Sequence, residues 1–229
     1  MSFGMEPSLI SAASSEEVKE ALRKKISKER IGKELKGMFN RNPIDALILI
    51  HDIGIADIVF ELPKSLNSIS KEYSQTIKES LMNAAQINRF LKQDKEFVVK
   101  DIVSKEDIKH MILGAYSVPY LEYEYTVKKR IEPVIKYIFG ESIKWPTKEV
   151  DTIYLLAKSA VEIKHLVENK ELNRVNIGIQ LRKTGPLWKL AATIALCLDL
   201  PPFTKVDLKE ICKKKTKINN TIFIYYSSA

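Results

Sequence analysis

Between Ile26 and Gly54 the chain reads ISKERIGKELKGMFNRNPIDALILIHDIG, which encodes two helix starts and two helix ends in twenty-nine residues. Ser27 has the side chain of a helix N-cap, and Ile26 and Ile31 occupy the two staple positions around it. Ile31, Leu35, Met38 and Phe39 then recur at helical spacing, so this segment has one apolar face. Asn42 can cap a second helix, with Pro43 at its first position, where the missing N–H costs nothing, and Gly54 as its stop. Two helices joined without a linker must pack against one another or against a common third element. This constrains the fold more than any other stretch.

The rest of the chain carries similar signals. SSEEVKEALRKKI has capping serines, acids in its first turn and bases in its last. A further turn ends in DIVFELP, with Pro63 as punctuation. Residues 66–92 read as a long amphipathic helix, either continuous or broken near Ser74. FVVKDIV (97–103) has the composition of a short strand, but the acids and bases that follow favour a loop and then a helix through KEDIKHMILGAYSVPYL, ended or turned at Pro119. EYEYTVKKRIEPVIKYIFG alternates like a strand at its start. From Val127 onward its spacing is helical, Pro133 fits a helix start and Gly140 a stop. PTKEVDTIYLLAKSAVEIKHLVENK is the clearest helix, opened at Thr147, and two shorter helices are hinged at Gly185 and Pro186. The fold expected is all-α, with irregular packing, no repeat of constant period and no parallel-sheet pattern. Residues 201–229, with KKKTKINNTIFIYYSSA at the end, match this pattern poorly.

Charge narrows the partners. Lys and Arg total 37 against 29 Asp and Glu, a net +8, which suits RNA, DNA or an anionic membrane surface. The longest apolar run, ALILI, is too short to span a bilayer, and no secretory or transit signal is legible, so an intracellular protein is expected. Cys197 and Cys212 stand far apart and read as reduced thiols. His51, His110 and His165 have no partner at metal-ligand spacing, so no metal site is expected.

Enzymatic motifs are scarce. The sequence has no Asp-x-Asp, no glycine-rich phosphate loop and no GxSxG. Its nearest carboxylate pair, Glu122 and Glu124, reads equally well as an exposed edge. The basic clusters are better defined: Lys24, Lys25 and Lys28 with Arg30 around a helix junction, Lys128, Lys129 and Arg130 in a row, and Lys213, Lys214 and Lys215 near the end. Each alone reads as a solvated face; three in a basic chain, with Tyr120, Tyr123 and Tyr125 before the middle one, point to nucleic acid.

The ISKERIGKE segment has two oddities. Glu29–Lys33 is a favourable i,i+4 pair, whereas Arg30–Glu34 runs in the weaker orientation, and Gly32 costs up to about 1 kcal/mol relative to alanine. One reading is a solvated ion pair and a tolerated glycine. The other is that Gly32 admits a second backbone while Arg30 and Glu34 brace a neighbouring element, in which case Arg30→Ala should loosen the N-terminal helices more than Lys28→Ala.

KKISKERIGKELKGMFNRNPIDALILIHDIGIADIVF resembles the neck of eukaryotic-type, class II CCA-adding tRNA nucleotidyltransferases of the poly(A)-polymerase-like family. Ile26, Ser27, Glu29, Arg30 and Glu34 match its ISxERxxxE motif, and Asn42, Pro43, Ala46, Leu47, Leu49 and Ile50 its NPxxALxLI helix. MSFGMEPS looks like the tail of the family's LRxxRFxxxFG helix, while IKWPTKEVDTIYLLAKSA and GIQLRKTGPLWKLAATIALCLDL look like its helical body. The likeness covers roughly residues 3–200 and is strongest over 22–60.

The resemblance implies a neck over 1–63, a body over 64–200 and an unfamiliar segment over 201–229. It implies that Glu29, Arg30 and Glu34 support a templating helix without doing chemistry. Body and tail of the family hold the acceptor and T arms of tRNA through phosphates, and the complete enzyme adds C, C and A using CTP, ATP and Mg²⁺. The family's catalytic head, with its Asp-x-Asp and RRD motifs, its base-reading motif and its tail have no counterpart in this sequence. The expectation is therefore a tRNA-holding neck and body with no cofactor of its own and no nucleotide addition alone: a fragment, an incompletely assigned gene, or one subunit of a split enzyme acting with a separate nucleotidyltransferase head. Nucleus, cytosol and organelle all remain open as its place of work. From another class, a helical protein-interaction module would show an exposed apolar groove and little salt-sensitive RNA affinity.

Overall fold

A computed structural model describes residues 7–93 and 103–198. Within them the fold is helical, with no catalytic sheet and a single two-stranded hairpin. Five helices come first: α1 (Pro7–Ala13), α2 (Glu16–Lys25), α3 (Lys28–Arg41), α4 (Pro43–Ile53) and α5 (Ala56–Val59). A 3₁₀ turn (Lys64–Ile69) leads into α6 (Ser70–Gln93), which runs unbroken through Ser74. Helix α7 (Lys105–Ser117) and a 3₁₀ turn containing Pro119 precede the strands β1 (Glu124–Val127) and β2 (Arg130–Pro133). A short helix α8 (Val134–Lys136) continues as a π turn to Ser142, and α9 (Thr147–Glu168), α10 (Arg174–Thr184) and α11 (Trp188–Leu198) complete the described chain. Residues 97–102, where a strand or loop was weighed, lie outside the described residues, as do residues 201–229.

The boundaries follow local chemistry. Ser15 and Ser27 accept from the N–H groups of Val18 and Arg30, and Asn42 accepts from Asp45 N–H. Gly54 closes α4 in the left-handed region at φ 73°. Helix α7 starts with a reciprocal capping box between Ser104 and Asp107.

Beyond Val127 the structure departs from the expected helix. The chain forms an antiparallel hairpin with Glu124 opposite Pro133 and Val127 opposite Arg130, and helix begins only at Val134. Pro133 sits opposite Glu124 at a position where no N–H is needed by the partner strand. Val134 N–H still donates to the Tyr123 carbonyl at 3.0 Å one step further on, and Pro133 serves as the N-cap of α8. Gly140 lies within the π turn instead of stopping a helix.

The core is continuous, from Leu35 and Phe39 in α3 through Tyr116 in α7 and Leu156 in α9 to Cys197 in α11, and so crosses Pro63. Helix α9 packs on α11 and α7, and α7 on α6. Gly114 lets α7 approach closely, since a Cβ there would sit 3.1 Å from both Leu156 Cβ and Ile194 Cδ1. Burial pushes the Cys197 thiol up to about 12, which leaves it protonated and inert at neutral pH. Among the described residues no helix is long and apolar enough to cross a membrane.

His51 gives the fold an acid-sensitive contact. Its Nε2 lies 3.1 Å from the Tyr116 hydroxyl, and burial pushes its pKa from 6.5 down to about 4. The unfolded chain therefore takes up this proton first, and stability falls as pH drops from 6.5 towards 4. At pH 4.5 the group is expected to cost about 2 kcal/mol. His51→Gln should remove that component. Urea midpoints at pH 7 and pH 4.5 check this: an equal acid loss in both proteins would exclude the role.

Candidate nucleic-acid interface

The site is built on a clasp between α3 and the segment joining α8 to α9. Gly32 faces the backbone of Ile143 so closely that a Cβ would stand 1.8 Å from the Ile143 carbonyl oxygen. The Gly32 carbonyl accepts a 3.1 Å hydrogen bond from Trp145 Nε1, and the Trp145 ring meets Phe39 edge-on at 5.7 Å. Ser142 donates to the Val59 carbonyl at 2.9 Å, tying the π turn to α5. Of the two readings of the glycine, the close approach of a second backbone is the one present.

Lys28 fastens the same junction. Its ammonium lies 2.7 Å from Glu61 and 6.0 Å from the Tyr137 ring centroid. Glu29, Arg30 and Glu34 are exposed, and among the described residues neither Arg30–Glu34 nor Glu29–Lys33 forms an ion pair. The contacts thus rank the two variants opposite to the brace reading. Lys28→Ala is expected to cost about 0.5–1 kcal/mol, because both members of its pair are partly solvated, and Arg30→Ala under about 0.5 kcal/mol. Thermal melts that place Arg30→Ala lower would restore the arginine as the brace.

Tyr137 connects this junction to the hairpin. Its ring meets Tyr125 of β1 at 5.4 Å, so Lys28 and the hairpin approach the same aromatic side chain. The three tyrosines singled out in the sequence have different surroundings. Tyr120 is fully buried and has no face for a base. The Tyr123 hydroxyl is 3.0 Å from Thr76 Oγ1, while Tyr125 is half-buried beside the cleft below the hairpin. Glu122 and Glu124 are exposed on either side of Tyr123.

The hairpin tip carries the middle basic cluster. Lys128 and Lys129 are the two loop residues between Val127 and Arg130, with φ 46° and 69°. Positive φ at both positions is the geometry of a type I′ turn, which favours Asn-Gly and strains residues bearing a Cβ and a long side chain. Lys128, Lys129 and Arg130 are all exposed, and none is in an ion pair among the described residues. Three uncompensated cations therefore stand at the hairpin end, two of them on a turn whose backbone suits them poorly. Replacing Lys128-Lys129 with Asn-Gly is expected to raise stability by about 1 kcal/mol. A lower urea midpoint in that variant would show that the lysines are unstrained.

The remaining clusters do not join this tip in any described contact. Lys24 pairs with Glu20 within α2, and Lys25 is exposed at the end of that helix. Lys213, Lys214 and Lys215 lie outside the described residues. Sequence reasoning missed Lys136, which pairs with Glu132 at 3.1 Å and lies 5.8 Å from the Tyr154 ring centroid, because it was placed on an uninterrupted helix. Among the described residues no group of three or more His, Cys, Asp or Glu side chains is placed to hold a metal ion. Comparisons with family models, with curated proteins and with solved structures find no match for this chain.

Proposed function

We propose that this chain is the tRNA-holding neck and body of a CCA-adding nucleotidyltransferase, with the hairpin tip as its phosphate-binding surface. The observation that carries the RNA reading is the set of three uncompensated cations at the hairpin end, Lys128 and Lys129 at positive φ and Arg130 next to them, with Tyr125 lining the same cleft as Lys128 and Arg130. A strained turn that keeps lysine where Asn-Gly would be more stable is accounted for by a ligand for those charges. The family assignment rests on the ISxERxxxE and NPxxALxLI matches, and the close packing of Gly32 supports reading α3 as a bracing helix. Nucleotide addition would require a catalytic head supplying the metal-binding carboxylates, with CTP, ATP and Mg²⁺ as that head's substrates and cofactor.

The test is filter binding of the full chain to tRNA lacking its 3′ CCA, across a salt series, beside an assay of CMP and AMP incorporation. Affinity should fall roughly 30- to 100-fold between 50 and 200 mM salt, as expected for three to four phosphates neutralised, with no incorporation. Salt-insensitive or undetectable binding at 50 mM would refute the reading.

Helix α10 and the residues flanking it favour a second reading, a protein-interaction module. Leu172, Val175, Ile177, Ile179, Leu181 and Trp188 are each at least 40% exposed, more apolar surface than an isolated solvent-facing helix needs. Absence of tRNA affinity together with a partner lost on Ile179→Asp would favour that reading.

A further inference from the structure

The hairpin roofs an open cleft of about 720 Å³, which extends to the first turns of α9 and has the size of a small-ligand site. Its chemistry is divided. Lys128 and Arg130 stand at the hairpin end, Tyr125 supplies aromatic surface, with Trp145 buried in the lining, and Glu132, Glu141 and Asp151 supply carboxylates. Two of those carboxylates are already engaged: Glu132 with Lys136 at 3.1 Å and Glu141 with Lys144 at 2.7 Å. Asp151 is exposed and in no ion pair among the described residues, so it is the acceptor left to a ligand.

A nucleic-acid backbone alone would not be served by a carboxylate in its groove, which would repel phosphate. A base with an exocyclic amine would be, because a carboxylate accepts from cytosine N4 or adenine N6, and the aromatic surface offers a stacking platform. Resting on the RNA reading above, we infer that this cleft takes one unpaired nucleotide of the bound RNA whose base carries an exocyclic amine. Asp151 accepts from the amine, Tyr125 lies against the ring, and Lys128 and Arg130 hold the flanking phosphates. The hairpin thus selects single-stranded sequence as well as binding charge, since uracil presents a carbonyl where cytosine presents the amine.

Fluorescence anisotropy with 5′-labelled hexacytidylate and hexauridylate tests this on the full chain, because both are pyrimidine oligomers of equal charge that differ at the recognised edge. Hexacytidylate should bind about five- to ten-fold tighter. Asp151→Ala, an exposed change that leaves the core untouched, should reduce the preference below two-fold by weakening cytidylate alone. Tyr125→Ala should weaken both oligomers together. Equal affinities in the unmodified chain, or a preference that survives Asp151→Ala, would overturn the inference. The tRNA titration distinguishes the two failures. Salt-sensitive tRNA binding without an oligomer preference overturns the cleft and leaves the phosphate surface standing; no binding of tRNA or oligomers overturns both.

Discussion

Gly32→Ala is expected to lower the melting temperature by about 6–12 °C, corresponding to about 3 kcal/mol for a chain of this size. In an open helix the same change would stabilise, by up to about 1 kcal/mol, because alanine is the better helix former. The sign reverses at this site because the new Cβ would stand 1.8 Å from a carbonyl oxygen of the backbone, not from the movable end of a side chain. Either α3 or the 143–145 segment must shift, and a shift of an ångström or more breaks the Trp145–Gly32 hydrogen bond and parts the Trp145 ring from Phe39. Gly37 is an internal control on the same helix. Nothing lies within 4 Å of its would-be Cβ, so Gly37→Ala should raise the melting temperature by about 2–4 °C. Circular-dichroism melts of both variants decide the matter. If Gly32→Ala melted at or above Gly37→Ala, the close approach of the two backbones would have to be abandoned.

The contrast between those glycines shows what was legible in the sequence. Both stand in a helix at a cost in propensity, and only one touches anything; the local pattern records the cost but not the element responsible. Capping was legible because it is local: Ser27, Asn42, Pro43 and Gly54 act within three or four residues of themselves, and each has the role its chemistry suggests. The hairpin was not legible because its turn is built from Lys128 and Lys129, which carry no turn signal, and because the residues after Val127 happen to recur at helical spacing. The tyrosines illustrate the same limit. Tyr120, Tyr123 and Tyr125 look alike in sequence, yet a 3₁₀ turn buries the first while β1 leaves the third at the cleft. Lys28 and Arg30 differ by two positions on one helix, so the side facing Glu61 and Tyr137 decides which of them braces.

Reversing the charge of the tip, Lys128→Glu with Lys129→Glu and Arg130→Glu, is expected to weaken tRNA binding by at least about 100-fold at 100 mM salt and to reduce the salt slope by about 2–3. Both effects follow from one account. Each cation seated on a phosphate releases nearly one counterion, so removing three contacts removes the corresponding part of the slope. The three carboxylates then add repulsion, which lowers affinity beyond the loss of contacts. The fold should tolerate the change, because all three side chains are exposed and none is in an ion pair among the described residues. An unchanged melting temperature is therefore part of the expected result. The Asn-Gly turn serves as a second probe: it removes two charges while relieving the strained backbone, so the protein should become more stable as its RNA affinity falls. Unfolding would lower stability and binding together, and only a tip that holds phosphate at the expense of its own backbone moves them in opposite directions. Filter-binding slopes for the three proteins, measured between 50 and 200 mM salt, test this account. If the charge-reversed chain kept the full slope, the phosphates would lie on another face, and the strain at Lys128 and Lys129 would need another cause.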